Sequence, residues 1–163
     1  MDIQIVKADE KYWESHAETL DQVARERRFL SFLEGPPKQE VRDFVKKLIA
    51  LGDTQYFAIH GDRAIGWCDI TRNGSTIQAH SGGLGMGLRK EYRGIGLGKK
   101  LIQATIADAE AKGLERIELT VFDRNQSAIA LYLKCGFKVE GKLEKFVKVD
   151  GVYRSALLMS RIR

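Results

Sequence analysis

Arg93-Gly94-Ile95-Gly96-Leu97-Gly98, followed by Lys99 and Lys100, is the stretch that decides the fold. Glycine at every second position lets the backbone adopt positive φ and lets successive N–H groups turn toward one anion. An apolar series at helical spacing comes next, so the stretch predicts a loop that opens a helix. Because a helix N-terminus leaves about four N–H groups unpaired and carries partial positive charge, a phosphate-bearing ligand is expected there.

The charge around the loop favours the same ligand. The segment from Arg89 to Lys100 holds five cationic side chains against a single acid, Glu91. The usual nucleotide loops fit poorly, because a P-loop needs G-x-x-x-x-G-K-[ST] and the dinucleotide fingerprint needs G-x-G-x-x-G, whereas this loop has G-x-G-x-G. Taken alone, the loop is also compatible with a solvated basic turn before an amphipathic helix.

The segments around the loop alternate between strand and helix patterns. Residues 84–89 predict a short strand, the helix after the loop ends at Gly113, and residues 116–122 alternate as a second strand. Asn125 can cap a further helix that stops at Gly136. Residues 84 to 122 therefore predict a right-handed crossover between parallel strands, with the loop at the carboxyl end where ligands bind.

The rest of the chain supplies elements around this unit. The patterns predict a strand over 2–7, helices over 11–28 and 38–51, strands over 55–59 and 64–71, and a terminal hairpin that turns at Asp150-Gly151. Together they predict an α/β fold with a mixed sheet, in one domain over residues 1–163.

Bulk properties narrow the class of protein. The first thirty residues show no signal peptide, and no apolar run approaches the roughly 20 residues that cross a bilayer, so a soluble cytoplasmic protein without a membrane partner is expected. The net charge of +5 is spread among 22 acids, and a phosphate-bearing small ligand explains the basic cluster without nucleic acid. Cys68 and Cys135 lack metal-ligand spacing, so we expect free thiols and no metal.

Two motifs give this chain a family resemblance. Arg93, Gly96 and Gly98 match the pattern [Q/R]-x-x-G-x-[G/A], and the run from Asn125 to Phe137 matches N-x-x-A-x-x-L-Y-x-x-x-G-F. Both resemble the GNAT superfamily of acetyl-coenzyme A-dependent N-acetyltransferases. The resemblance covers residues 54 to 162 well, whereas the first fifty residues match only in their strand-helix-helix order.

The resemblance implies a six- or seven-stranded mixed sheet, splayed beside the strand at 84–89 and flanked by about four helices. Main-chain groups of Met86 and Leu88 would pair with the pantetheine arm of acetyl-CoA, and Asn125 would hold that arm through its amide. Lys134 would lie near the adenosine 3′-phosphate, with a solvated helix lysine as the alternative. The diphosphate would rest on consecutive N–H groups, those of Arg93, Gly94, Ile95, Gly96, Leu97, Gly98 and Lys99.

The catalytic assignments follow from the same resemblance. A thioester is already an activated acyl donor, so direct attack by an amine in a ternary complex suffices. The N–H of Leu88 would stabilise the carbonyl oxygen, and Tyr132, at the acid position of the family, would protonate the leaving thiolate. The alternative for Tyr132 is a core tyrosine.

The general base is less determined. An amine with a pKa near 10 is about one part in a thousand neutral at pH 7, so a base would help. The candidates are the imidazole of His80, just before the strand that leads to the loop, and the carboxylate of Glu34, in the interhelical loop that often borders the acceptor site in this family. The alternatives are a surface or core histidine for His80 and a solvated loop acid for Glu34. Asp69 and Glu118 lie in predicted strands, and the sequence does not decide which face of the sheet their side chains occupy.

The function implied is acetyl transfer from acetyl-CoA to a primary amine. A small metabolite, an antibiotic, a polyamine and a peptide or protein N-terminus all remain open as acceptors, and the resemblance leaves a homodimer open. The alternative is a CoA-binding sensor or interaction module with the same fold and no turnover.

Overall fold

Seven strands and four α-helices make up the computed structural model, which describes residues 1–163. The strands are β1 (Ile3–Lys7), β2 (Thr54–His60), β3 (Arg63–Arg72), β4 (Ser81–Leu88), β5 (Arg116–Phe122), β6 (Lys138–Val149) and β7 (Val152–Ile162). The helices are α1 (Trp13–Arg25), α2 (Lys38–Leu51), α3 (Leu97–Ala111) and α4 (Gln126–Lys134).

The strands form one sheet in the order β1-β2-β3-β4-β5-β7-β6. Every neighbouring pair is antiparallel except β4 and β5, which are joined through α3 and run parallel. The predicted mixed α/β fold is thereby confirmed, with seven strands and four helices. No helix is long and apolar enough to cross a membrane.

Alternation along the strands sends side chains to two separate layers of helices. On β3, Trp67 belongs to a core cluster that includes Val23 of α1 and Val45 of α2. Its neighbour Cys68 belongs to the larger cluster with Leu101 of α3, on the other face. The sheet is thus covered on both faces, and both cysteines are buried and free.

The first predicted helix was too long at both ends. Residues 10–12 form a 3-10 turn, and α1 stops at Arg25 because Arg27 adopts a left-handed φ of 58°, which an α-helix cannot continue. The strand predicted over 84–89 instead begins at Ser81, since glycines weaken the strand pattern there. The early start matters because the added residues carry all of the pairing with β5.

Candidate active site

A gap between β4 and β5 opens the sheet in its middle. The two strands pair only where residues 81–83 lie beside residues 116–118, although β4 continues to Leu88 and β5 to Phe122. Beyond those three pairs the strands diverge. The sheet is splayed at the place that the family resemblance implied.

The edge of β4 presents unpaired backbone groups to this gap. The N–H of Arg89 donates to the carbonyl of Ile65, and because backbone groups alternate sides along an antiparallel strand, odd-numbered residues of β4 face β3. The N–H groups of Met86 and Leu88 therefore point into the gap. The carbonyl of Leu88 accepts from Nε of Arg93 at 2.9 Å, so Leu88 offers only its N–H.

The glycine loop lies at the end of this edge and opens α3. Gly94 and Gly96 have φ of 79° and 85°, values that glycine adopts without strain. The first backbone N–H of the helix with a partner is that of Lys100, which donates to the carbonyl of Gly96. The six N–H groups of residues 94–99 have no partner in the protein, so they form a ready site for an anion.

Arg93 differs from its predicted role in one respect. Its own N–H donates to the carbonyl of Lys90 at 3.2 Å, so the run of free donors begins at Gly94. Its guanidinium makes two hydrogen bonds to the carboxylate of Glu26, at 2.9 and 2.6 Å, and lies 4.7 Å from the ring centre of Phe29. Arg93 thus ties the loop to the α1–α2 connection, and its charge is already paired.

A cavity of about 250 Å³ joins the loop to the β4 edge and to α4. Its lining includes Met86, Leu88, Arg93, Gly94, Gly98, Asn125 and Tyr132. Asn125 caps α4 because its side-chain oxygen accepts from the N–H of Ala128 at 3.3 Å, which leaves its NH₂ group free for a ligand. The sequence motifs therefore converge on one cavity.

Tyr132 lies at the inner wall of that cavity. It is 8% exposed, and its ring centre is 5.8 Å from that of Phe137. Burial raises the pKa of the phenol well above its ordinary value, and nearby Cys68 and Cys135 act in the same direction. The phenol is therefore protonated at neutral pH and can donate a hydrogen bond or a proton.

A second cavity, of about 400 Å³, lies on the α1–α2 face of β4 and reaches Met86 from the other side. Its walls are mostly apolar and come from α1, α2, their connection and β3; they include Leu20, Leu30, Phe32, Val41, Phe44 and Trp67. We refer to it as the α1–α2 cavity. Phe44 of α2 is 38% exposed because it lines this opening.

Asp69 is the carboxylate that faces the α1–α2 cavity from the sheet. It pairs with Gly85 across β3 and β4, and a Cβ at Gly85 would lie 3.6 Å from its Oδ1. Burial raises the pKa of Asp69 to about 7, although Nε2 of Gln55 donates to its Oδ2 at 3.5 Å. This carboxylate changes charge near neutral pH beside the exposed backbone of β4.

Sequence reasoning left the facing of Asp69 open, but a signal was present. Trp67 precedes it by two residues in β3, so the strand period places both side chains on the same face. An acid in an otherwise apolar stretch of strand then indicates a cavity or a buried partner. The other strand acid, Glu118, instead pairs with Arg116 at 3.0 Å, away from the α1–α2 cavity.

His16 of α1 also lines the α1–α2 cavity. It is 2% exposed, and its ring packs against Phe57 and Trp67, with centres 4.8 and 5.6 Å away. Burial lowers the pKa of His16 to about 4, so the ring is neutral at pH 7. Its Nδ1 has no hydrogen-bond partner in the protein.

His80, a candidate base from the sequence, lines neither of these two cavities. His80 precedes β4 at the end opposite to the gap and is exposed, and its carbonyl accepts from the N–H groups of Glu115 and Arg116. Six residues of extended chain separate it from Met86, which amounts to about 20 Å. Strand β4 begins three residues earlier than the predicted strand over 84–89, and these added residues carry His80 away from the site.

Glu34 does not reach either cavity. Its side chain is 72% exposed and accepts from Arg25 at 3.3 Å. Its neighbours Phe32 and Pro36 line the α1–α2 cavity instead. The interhelical loop therefore borders this cavity, but through its apolar residues, and Glu34 is not among the residues that line it.

Lys134 lies at the far end of α4 from Asn125. It lines a separate cavity that also includes Glu110, Cys135 and Arg161. The structure does not bring it to the cavity that contains the glycine loop. No group of three or more His, Cys, Asp or Glu side chains is placed to hold a metal ion.

Comparison with known proteins decides the family. Residues 15–137 match the model of the Acetyltransferase (GNAT) family. The chain belongs to this family. Its GNAT fold also matches the structure of an acetyltransferase from Salmonella typhimurium in complex with acetyl-CoA, with a TM-score of 0.93 and 15% identity over 99% of this chain and 94% of that one. Membership of this family makes the chain an acetyltransferase.

Two curated GNAT-type relatives give the range of named activities. An L-amino acid N-acetyltransferase of Escherichia coli is 29% identical over 75% of this chain and 71% of its own length. A probable spermine N(1)-acetyltransferase of Bacillus subtilis is 45% identical, but the match spans only 34% of this chain and 37% of that relative. The spermine relative is thus matched over little more than a third of its length.

Proposed function

We propose that this GNAT enzyme transfers an acetyl group from acetyl-CoA to the primary amine of a small molecule by direct attack in a ternary complex. The observation that carries the proposal is the unpaired edge of β4, which lies between the loop cavity on one side and the α1–α2 cavity on the other. Spermine and amino acids, which the named relatives acetylate, both fall within this class of acceptor.

The chain has the groups to hold the donor. The N–H groups of residues 94–99 would bind the diphosphate, and the main chain of Met86 would pair with the pantetheine arm as an added strand does. The free NH₂ group of Asn125 would bind an amide carbonyl of that arm. Lys134, on the exposed end of α4, remains a proposal for the adenosine 3′-phosphate.

Acetyl-CoA supplies an activated acyl group as its thioester. The free N–H of Leu88 points into the gap, where it would stabilise negative charge that develops on the carbonyl oxygen. Tyr132 would give its proton to the departing thiolate. The phenol is protonated at neutral pH. Because burial raises its pKa and so makes it a weaker acid, we expect the proton to move only as the thiolate departs, since the charge of that thiolate is desolvated in the same cavity.

Asp69 is the group we propose as general base in place of His80 and Glu34. It faces the α1–α2 cavity beside Gly85, on the opposite face of the sheet from Tyr132. A base whose pKa is about 7 is half ionised at pH 7 and can take a proton from the attacking amine. The two faces of β4 would then divide the proton transfers between them.

The test is thiol release from acetyl-CoA with a panel of amines, compared between the wild-type chain and Tyr132→Phe. We expect turnover with at least one amine, a loss in kcat of about 100-fold in the variant, and unchanged acetyl-CoA affinity. If acetyl-CoA raises the melting temperature but no amine supports thiol release, the CoA-binding sensor replaces the enzyme as the preferred function.

A further inference from the structure

The α1–α2 cavity contains acids but no cation. Among its lining residues the ionisable side chains are Asp69, Glu40 and His16, and His16 is neutral at pH 7 because burial lowers its pKa to about 4. No lysine or arginine lines it. The cavity therefore presents negative charge and apolar surface, but no cationic side chain that could pair with an anion.

Three cations on the neighbouring elements are bound elsewhere, and Arg28 of the α1–α2 connection lines a different cavity. On α2, Arg42 bonds to Glu10 at 3.0 Å and lies over the ring of Trp13. At the start of the same helix, the ammonium of Lys38 lies 3.8 Å from Glu18. Arg93 is held by Glu26. None of these charges faces into the cavity, so a carboxylate that entered it would be desolvated without a partner.

An amino-acid acceptor would have to place its carboxylate there. In an α-amino acid the carboxylate is two bonds from the amine nitrogen, so an amine held at Asp69 brings the carboxylate beside the same acid. Two like charges at such a distance repel each other, and among the mostly apolar walls the neutral imidazole of His16 offers a single N–H against the loss of water.

Building on the proposed function, we infer that the acceptor is a primary amine with an apolar carbon skeleton and no carboxylate. Its amine lies at Asp69 beside Gly85, and its carbon skeleton lies among Leu20, Phe32 and Phe44. The volume of about 400 Å³ is within the range of small-molecule sites. Glu40, at the α2 wall, adds attraction for the cationic form of the amine as it approaches.

Matched pairs of acceptors test this directly. Initial rates of thiol release are measured at saturating acetyl-CoA with 2-phenylethylamine against phenylalanine, and with isoamylamine against leucine; each pair differs only by the carboxylate. We expect kcat/KM to be at least 100-fold higher for the amine of each pair. Spermidine, with its polar skeleton, is expected to be at least tenfold poorer than 2-phenylethylamine.

A pair of glycine variants checks that the α1–α2 cavity is the site. Gly85→Val fills space beside Asp69, whereas Gly83→Val lies on the same face of β4 with nothing within 4 Å of its Cβ. We expect Gly85→Val to raise KM for 2-phenylethylamine at least tenfold without changing acetyl-CoA affinity, and Gly83→Val to change neither by more than twofold. Melting temperatures of both variants report whether they are folded.

The outcomes separate the two proposals. Rates for phenylalanine or leucine equal to those of the matched amines would overturn the inference and leave the acetyltransferase standing; Arg28, Arg124 and Arg154, around a cavity of about 200 Å³ next to Asn125, would then be the place to look for the carboxylate. A preference for spermidine would overturn it as well. If no acceptor releases thiol although acetyl-CoA binds, the proposed function itself fails, and this inference with it.

Discussion

The loop cavity and the α1–α2 cavity lie on either side of β4, but different kinds of chemical groups form them. On the loop side the polar groups are largely backbone, namely the free N–H groups of residues 94–99 and the edge of β4, although side chains such as Phe29, Leu131 and Tyr132 also line the loop cavity. The α1–α2 cavity is made of side chains from α1, α2, their connection and β3. A site made of backbone tolerates changes of side chain, whereas a site made of side chains can change its ligand without changing the fold.

This contrast predicts that mutations on the two sides change different kinetic constants. Changes at the glycine loop should alter acetyl-CoA affinity for every acceptor alike. Changes at the α1–α2 cavity should alter rates with the amine and leave acetyl-CoA affinity unchanged. A variant that moves both constants together would show that the two cavities are not independent.

The largest effect is expected for Asp69→Asn. Loss of the base should lower kcat/KM for the amine at pH 7 by about 100-fold or more. In the wild type, activity should rise with pH through about 7 as Asp69 ionises, and the variant should lack this rise. Steady-state rates between pH 5.5 and 8.5 measure both. Glu118→Gln, which removes a strand acid that pairs with Arg116, is the matched control and should leave the profile unchanged.

The Asp69→Asn variant should also change the pH dependence of stability in a defined direction. Burial raises the pKa of Asp69 in the folded chain above its unfolded value, so folding is opposed increasingly as pH rises from about 4 through 7. Asp69→Asn should therefore raise the melting temperature more at pH 8 than at pH 5. An equal change in melting temperature at pH 5 and pH 8 would mean that folding does not raise the pKa of Asp69. The proposal of Asp69 as general base would then lose its support.

The next largest effect is expected for Gly96→Ala. A Cβ on the loop would hold the backbone away from the diphosphate and strain a φ of 85°, so acetyl-CoA affinity should fall by about 30-fold in calorimetry, whatever the amine. Gly113→Ala at the other end of α3 has a φ of 92° and equally open space, so it carries a similar strain without touching the loop. Equal losses of affinity in the two variants would place the diphosphate elsewhere.

The smallest effect is expected for Glu34→Gln. It removes an exposed ion pair with Arg25, and such pairs contribute at most about 1 kcal/mol to stability. Because Glu34 lies outside the α1–α2 cavity, kcat/KM for the amine should stay within twofold of the wild type. A tenfold loss would return this loop residue to the list of candidate bases.

The contrast between backbone and side chains also explains what the sequence could predict. Gly94, Gly96 and Asn125 act through conformation and capping, which are local properties, so their motifs placed the loop cavity correctly. Asp69 and His16 acquire their positions only when β3 packs against β4 and α1. Their positions depend on strand register and burial, which the residues next to them in the sequence do not determine.

The same distinction accounts for the positions of the two candidate bases, His80 and Glu34, outside both cavities. His80 and Glu34 were chosen because they are close in sequence to β4 and to the interhelical loop. The added residues of β4 carry the first away from the site, and the ion pair with Arg25 turns the second toward solvent. Position in the sequence therefore did not predict which residues line the α1–α2 cavity, because tertiary packing brings them together.

The divergence of β4 from β5 has a consequence for how the molecule avoids self-association. An open strand edge normally recruits strands from other molecules and leads to aggregation. Here residues 84–88 form such an edge, but β5 stands as the opposite wall of a narrow slot inside the sheet. A strand from a second protein would have to enter between two strands of the same sheet, whereas the pantetheine arm is a single chain without neighbouring strands. The fold thus leaves one edge without a protein partner and open to a ligand.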